Sequence, residues 1–104
     1  MKHRIIFSVH IKEGRIPDFL AAFQPIRQLI AEGQPGLIAE QVCQSLDDPQ
    51  RFTITSEWVD LESFQAWEKS TRHRELALPL RDCWDEAKLL KTRIEIDCPG
   101  PAAS

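Results

Sequence analysis

Residues 4–12, RIIFSVHIK, alternate: Ile5, Phe7, Val9 and Ile11 share one parity, and Ile6, Ser8 and His10 share the other. A period of two predicts a strand, here with one dry face and one mixed face. Gly14 and Pro17 follow. Glycine ends the strand, and proline is tolerated in a first helical turn because its missing N–H has no helical partner there. The period then changes. Ile16, Phe19, Leu20, Phe23, Ile26, Leu29 and Ile30 are spaced for one apolar stripe, which predicts an amphipathic helix over 16–33. Pro25 lies inside it, removes a backbone hydrogen bond and crowds the preceding turn, so a kink or break is expected near Ala21–Gln24. EGQPG at 32–36 is a stop.

Alternation resumes over 37–45, less cleanly, with Leu37, Ala39, Gln41 and Cys43 set against Ile38, Glu40, Val42 and Gln44. LDDPQ at 46–50 is turn chemistry. Residues 51–58 form the clearest strand: Phe52, Ile54, Ser56 and Trp58 face one way, and Arg51, Thr53, Thr55 and Glu57 the other. Two strands joined by a short polar turn predict a hairpin. Asp60 suits the N-cap of a second helix, whose inner stripe holds Leu61, Phe64 and Trp67. Residues 70–87 read as helical in part, with Pro79 breaking the helix. A last strand is expected over 88–97, with Leu90, Thr92, Ile94 and Ile96 on one face.

The order strand, helix, strand, strand, helix, strand, joined by right-handed crossovers, is the split β-α-β plan of ferredoxin-like α+β domains. Both helices then cover one face of a four-stranded antiparallel sheet. The domain is expected over 1–97, with 98–104 (CPGPAAS) as a C-terminal tail. The other sheet face, carrying Ile6, Ser8, His10, Thr53 and Thr55, is left open. A half-apolar open face needs a cover, and the expected cover is a second copy of the chain, sheet against sheet.

Composition narrows the partners. The chain has 104 residues, enough for one domain, with 42% hydrophobic and 28% charged residues. The net charge of −3 and the lack of a Lys/Arg block argue against nucleic acid and anionic membranes as partners. His10 and Lys12 interrupt the N-terminal apolar positions, which argues against a signal peptide, and no run is long enough to span a bilayer. The cytoplasm is the expected location. Cys43, Cys83 and Cys98 are odd in number and widely spaced, and His3, His10 and His73 are scattered, so reduced thiols are expected rather than a zinc site or disulfide framework.

The chain resembles the antibiotic biosynthesis monooxygenase (ABM) domain, a dimeric α+β-barrel family. The resemblance spans roughly residues 3–97. It is carried by VHIKEGRIPDFLAAF, PGLIAEQVCQSLDDPQRFTITSEWVDLESFQAW and STRHREL. Within these, Pro35-Gly36, the Asp48-Pro49 turn, the trio Glu57, Trp58 and Asp60, and the Ser70 to His73 stretch match in order. The features mark the domain and not a reaction, because one fold hosts many functions.

The resemblance implies three chemistries. Some members oxygenate polycyclic phenols without metal or cofactor, some degrade haem, and some process small signalling molecules. The haem branch places a Trp where Trp67 stands, an Asn on strand one where Phe7 stands, and a His nine or ten residues after the Trp, where this chain has Leu76 and Ala77. Two of those three positions depart, so haem degradation is not expected. A signal-processing role lacks a phosphate-cradling glycine-rich loop.

The expected function is therefore a monooxygenase without cofactor, acting with O₂ on a small aromatic hydroxyl or hydroquinone-like compound. The same fold also accommodates a non-catalytic, dimeric small-molecule binder. Oxygenation of this kind needs a dry pocket, a base and hydrogen bonds to hold an anion, and aromatic walls suit a flat substrate. His73 is the candidate base, against a reading as a capping or solvent-facing histidine. Trp58, Trp67, Phe64, Phe7 and Arg72 are the candidate substrate-binding residues. Trp58 and Trp67 read equally as core rings, and Arg72 as a solvated cation. Trp84 is left between a pocket rim and a dimer contact.

Overall fold

The computed structural model describes residues 1–103. Ser104, the last residue of the expected tail, lies outside the described residues. The elements run β1 (His3–Ile11), α1 (Ile16–Ala22), α2 (Gln24–Ala31), β2 (Leu37–Gln44), β3 (Arg51–Trp58), α3 (Leu61–Lys69), α4 (Thr71–Arg81) and β4 (Trp84–Arg93). The strands form one four-stranded sheet in the order β2-β3-β1-β4, and each neighbouring pair is antiparallel. This is the ferredoxin-like plan, with the helices on one face. None of the helices is long and apolar enough to cross a membrane, among the described residues.

Register decides which residues face the helices. Phe7 pairs with Ile54 on one side and Leu89 on the other, and Ile5 pairs with Ser56, so these positions form the inner face. Ile5, Val9, Ile11, Phe52 and Trp58 are buried there against Phe19, Ile26, Phe64, Trp67 and Leu80 of the helices. Phe19 and Phe52 meet with ring centroids 5.1 Å apart. Truncating a fully buried ring of this size costs on the order of 3–5 kcal/mol.

The expected single helix over 16–33 is two helices that break at Phe23, within the segment that Pro25 perturbs. Three other expectations are corrected. Pro79 does not break its helix: α4 continues to Arg81, because the lost hydrogen bond falls in its last turn and costs one bond rather than several. The last strand runs over 84–93 instead of 88–97, and Trp84 belongs to it. Its pattern is weak because it is an edge strand, exposed at most positions. In β2, Leu37 pairs with Trp58 and Ala39 with the adjacent Glu57, so Ile38 is an extra, bulged residue. The bulge places Leu37 on the same side as Glu40 and Val42, contrary to simple alternation.

Helix starts are set by short polar residues. Asp60 Oδ1 accepts from the Ser63 N–H at 2.8 Å, and Ser70 Oγ accepts from the His73 N–H at 3.3 Å. Hydrogen bonds from the Ser63 side chain and then from its backbone N–H hold the Asp60 carboxyl below its ordinary range. Gly36 opens β2 with φ of +80° and presents its carbonyl to the Val59 N–H at 2.9 Å. A Cβ there would collide with the Ser63 side chain. Left-handed backbone costs a non-glycine residue about 1–2 kcal/mol before any clash. Gly36→Ala is therefore expected to destabilise the protein by at least about 2 kcal/mol in urea unfolding; a loss within about 0.5 kcal/mol would refute this account of the turn.

Candidate active site

Between the inner sheet face and α2, α3 and α4 lies a cleft of about 290 Å³. Its walls are mainly apolar: Ile5 and Phe7 from β1, Ile54 from β3, Phe23 and Ile26 at α2, Phe64 and Trp67 from α3, Ala77 and Leu80 from α4, and Trp84 and Leu89 from β4. Phe7 and Trp84 meet edge to face with centroids 5.3 Å apart, so two neighbouring strands supply one aromatic corner. Flat walls of this kind suit a flat, mostly apolar ligand.

His73 closes the other end. Its ring lies 4.2 Å from that of Trp67, tilted by 38°. The Ser70 cap starts α4 three residues earlier and fixes where His73 leaves the helix. Nδ1 is buried and has no hydrogen-bond partner among the described residues. Protonating the ring would strand an Nδ1–H with no acceptor. Burial, followed by the nearby Arg81 guanidinium, lowers the His73 pKa from its ordinary value, while Glu68 opposes the shift. The ring is thus held neutral near pH 7, the form that can accept a proton.

The structure places the other sequence candidates differently from one another. Phe7, Phe64 and Trp67 line the cleft beside His73. Trp58 is fully buried behind them and is not part of the lining. Its Nε1–H donates to Ser56 Oγ at 2.8 Å, and its ring meets Phe64 and Trp67 at 5.7 and 6.4 Å. Arg72 is exposed and stands outside the lining; Arg74 and Arg81 are the arginines that border the cleft. Helical phase explains this: 73, 77 and 81 recur at one face, and 72 is rotated away. Trp84 is a cleft wall.

Glu40 was not among the sequence candidates. It extends from β2 into the cleft wall opposite Ser56, half-buried and without a hydrogen bond or ion pair among the described residues. Burial pushes its carboxyl up to about 7. The signal was present in the alternation, since Glu40 shares the parity of Val42. Among the described residues, no group of three His, Cys, Asp or Glu side chains could hold a metal ion. Cys43, Cys83 and Cys98 are all free thiols.

The architecture is that of a ferredoxin-like α+β domain with a ring-walled cleft between sheet and helices. The chain belongs to the antibiotic biosynthesis monooxygenase family, whose model matches residues 3–77. It is 33% identical over 101 residues to the 42.8 kDa protein in the whiE locus of Streptomyces coelicolor, covering 95% of this chain and 25% of that one. It is 36% identical over 97 residues to the polyketide synthase CurD of Streptomyces cyaneus, covering 93% and 26%. The chain thus spans about a quarter of the length of these curated relatives. In fold it is similar to SnoaB, a cofactor-independent oxygenase from Streptomyces nogalater, with a TM-score of 0.82, 15% identity, and 95% and 98% of the two chains covered. A conserved protein of Methanosarcina mazei Go1 is 25% identical with a TM-score of 0.79, covering 89% and 92%.

The two shifted groups make opposite demands on pH. Glu40 holds its proton more tightly in the folded state than at its ordinary value of 4.5, so its contribution is present below that value and lost as pH rises to about 7. His73 is shifted down, so its contribution is present above 6.5 and lost as pH falls below it. Glu40→Gln should therefore raise the Tm relative to the parent near pH 8 and leave it nearly unchanged near pH 4. A Tm difference that stays constant across that range would contradict the burial of an unpaired carboxyl.

Proposed function

We propose that the chain is a cofactor-independent monooxygenase that oxidises a small aromatic hydroxyl or hydroquinone-like compound with O₂. The observation that carries this reading is the stacking of a neutral, half-buried His73 on Trp67 inside an otherwise apolar, ring-walled cleft. Membership of the family supports it. So does the name of CurD, a polyketide synthase, because aromatic polyketides carry phenolic rings.

The chemistry needs little from the protein beyond placement and proton transfer. The substrate ring lies between Trp67 and the Phe7–Trp84 corner. His73 takes the phenolic proton, and the apolar walls keep water from competing. The resulting anion gives one electron to O₂. The two radicals combine, forming a C–O bond and a peroxide at a ring carbon. His73 returns its proton to the peroxide, which then loses water as the O–O bond breaks and the proton on that carbon leaves. A phenol and O₂ become a quinone and water, with one oxygen atom in each product and all four electrons drawn from the substrate. We place this chemistry in the cytoplasm, in keeping with three free thiols.

Oxygen uptake with polycyclic hydroquinones and anthrones in metal-free buffer tests the reading. Uptake above the buffer rate is expected, and His73→Gln should reduce it by roughly 100-fold or more, the scale of a positioned base. Saturable tryptophan quenching by the same panel without any uptake would instead assign the cleft to ligand binding alone.

We also propose that a second copy covers the outer sheet face. There Ile6 pairs with Thr55 and with Leu90, which is 50% exposed. Arg4–Glu57 and Arg51–Glu86 bridges, at 2.8 and 3.4 Å, leave this apolar strip between satisfied charges. Light scattering should give twice the single-chain mass, and Leu90→Glu should return it to one chain. A parent protein of single-chain mass at every concentration would remove this proposal.

A further inference from the structure

Among the described residues, Glu40 has no structural partner that accounts for it. The bulge at Ile38 and the pairing with Ser56 direct it to the inner sheet face, into a cleft whose other β-strand walls are apolar or neutral. Arg74 and Arg81 border the same cleft from α4, yet neither makes an ion pair with it, and Lys91 of β4 pairs with Glu68 of α3 at 3.7 Å. A charged carboxylate in such a wall would lack the pairing that ordinarily offsets its desolvation. The cheaper state is the neutral acid, and a neutral acid has an O–H to donate.

We propose that Glu40, as a neutral carboxylic acid, donates a hydrogen bond to a carbonyl or phenolic oxygen of the aromatic molecule in the cleft, and so selects oxygenated ring systems over plain hydrocarbons. This rests on the reading that the cleft takes an aromatic compound. The ring-walled cleft supplies most of the contact area but little discrimination, because apolar walls accept any flat ring. A single buried donor supplies the discrimination, since a ligand without an acceptor leaves it unpaired. The same bond serves the oxygenation. An acid kept neutral beside a phenolate stabilises the anion without adding charge, and the anion in turn holds the acid's proton in place.

The other ionisable groups at the cleft are Glu68 on α3 and His73, Arg74 and Arg81 on α4; α2, β1, β3 and β4 bring apolar or neutral side chains to it. Burial lowers the pKa of His73 from its ordinary value, opposite to the shift of Glu40 up to about 7. A profile measured in a Glu40 variant therefore isolates its share.

Acetylnaphthalene, which offers a carbonyl acceptor, and ethylnaphthalene, its counterpart without one, are the probes. Both are followed by tryptophan quenching between about pH 5.5 and 8.5. In the parent protein the affinity for the ketone is expected to fall about tenfold across that range, as the donor is lost. The hydrocarbon should show no such fall. Glu40→Gln keeps an N–H donor, so it should retain the preference for the ketone with that fall abolished. Glu40→Leu should lose the preference at every pH. Cooperative unfolding of both variants, with midpoints no lower than the parent's, excludes a folding artefact. A parental pH profile in Glu40→Gln, or a parental ketone preference in Glu40→Leu, overturns the proposal. Oxygen uptake by the parent together with either of those results would leave the oxygenase reading standing. Failure of both probes to bind the parent protein overturns this proposal and also the assignment of the cleft to aromatic ligands.

Discussion

The burial of Trp58 at the end of β3 is the contact on which the rest of the site depends. Its indole is fully enclosed and its one polar atom is satisfied by Ser56. Its ring touches Phe64 and Trp67, so it holds α3 at a fixed height above the sheet. Asp60 then fixes where α3 begins, two residues after the indole. Because Trp67 is positioned in this way, the ring of His73 has a surface to stack on. A residue that does not touch the cleft therefore sets the geometry of residues that do.

The electrostatic character of the cleft follows from the same packing. Burial favours the uncharged form of any titratable group, so it pushes Glu40 up to about 7 and His73 down from its ordinary value. Near neutral pH the cleft contains a neutral base and an acid that is still partly protonated. An acid and a base in one dry cavity suit proton transfer better than two ions would, since ions would neutralise each other as a salt bridge. Arg81 strengthens the arrangement by adding positive potential beside His73, which disfavours the imidazolium. The same potential favours an anion in the cleft.

Much of the fold could be read because its signals are local. The alternation of 4–12 and 51–58, the Asp60 cap and the Pro25 break each depend on residues close in sequence, and the topology follows from their order. What could not be read depends on distant contacts. Glu40 shares the parity of Val42 in the sequence, which does not say which face that parity takes, because the alternation of β2 is weak. Its inward direction requires the register with Ser56 and the bulge at Ile38, and neither is a property of β2 alone. The extent of α4 was obscured by Pro79, which normally ends helices but here sits in a last turn that had little left to lose. Ending α4 at Pro79 concealed Arg81. Starting β4 too late concealed the Trp84 wall. Trp58 and Trp67 looked alike in sequence, and only packing separates the ring behind the wall from the ring in it.

The two halves of the cleft contribute in different ways. Residues within the family match, 3–77, bring Phe7, Glu40, Phe64, Trp67 and His73 to the cleft. Leu80, Arg81, Trp84 and Leu89 come from beyond it and complete the wall, with Trp84 meeting Phe7 edge to face. That wall lies on the last turn of α4 and on an edge strand, elements with fewer neighbours to constrain them than the centre of the sheet. Changes there can reshape the pocket without disturbing the Trp58–Trp67–His73 stack.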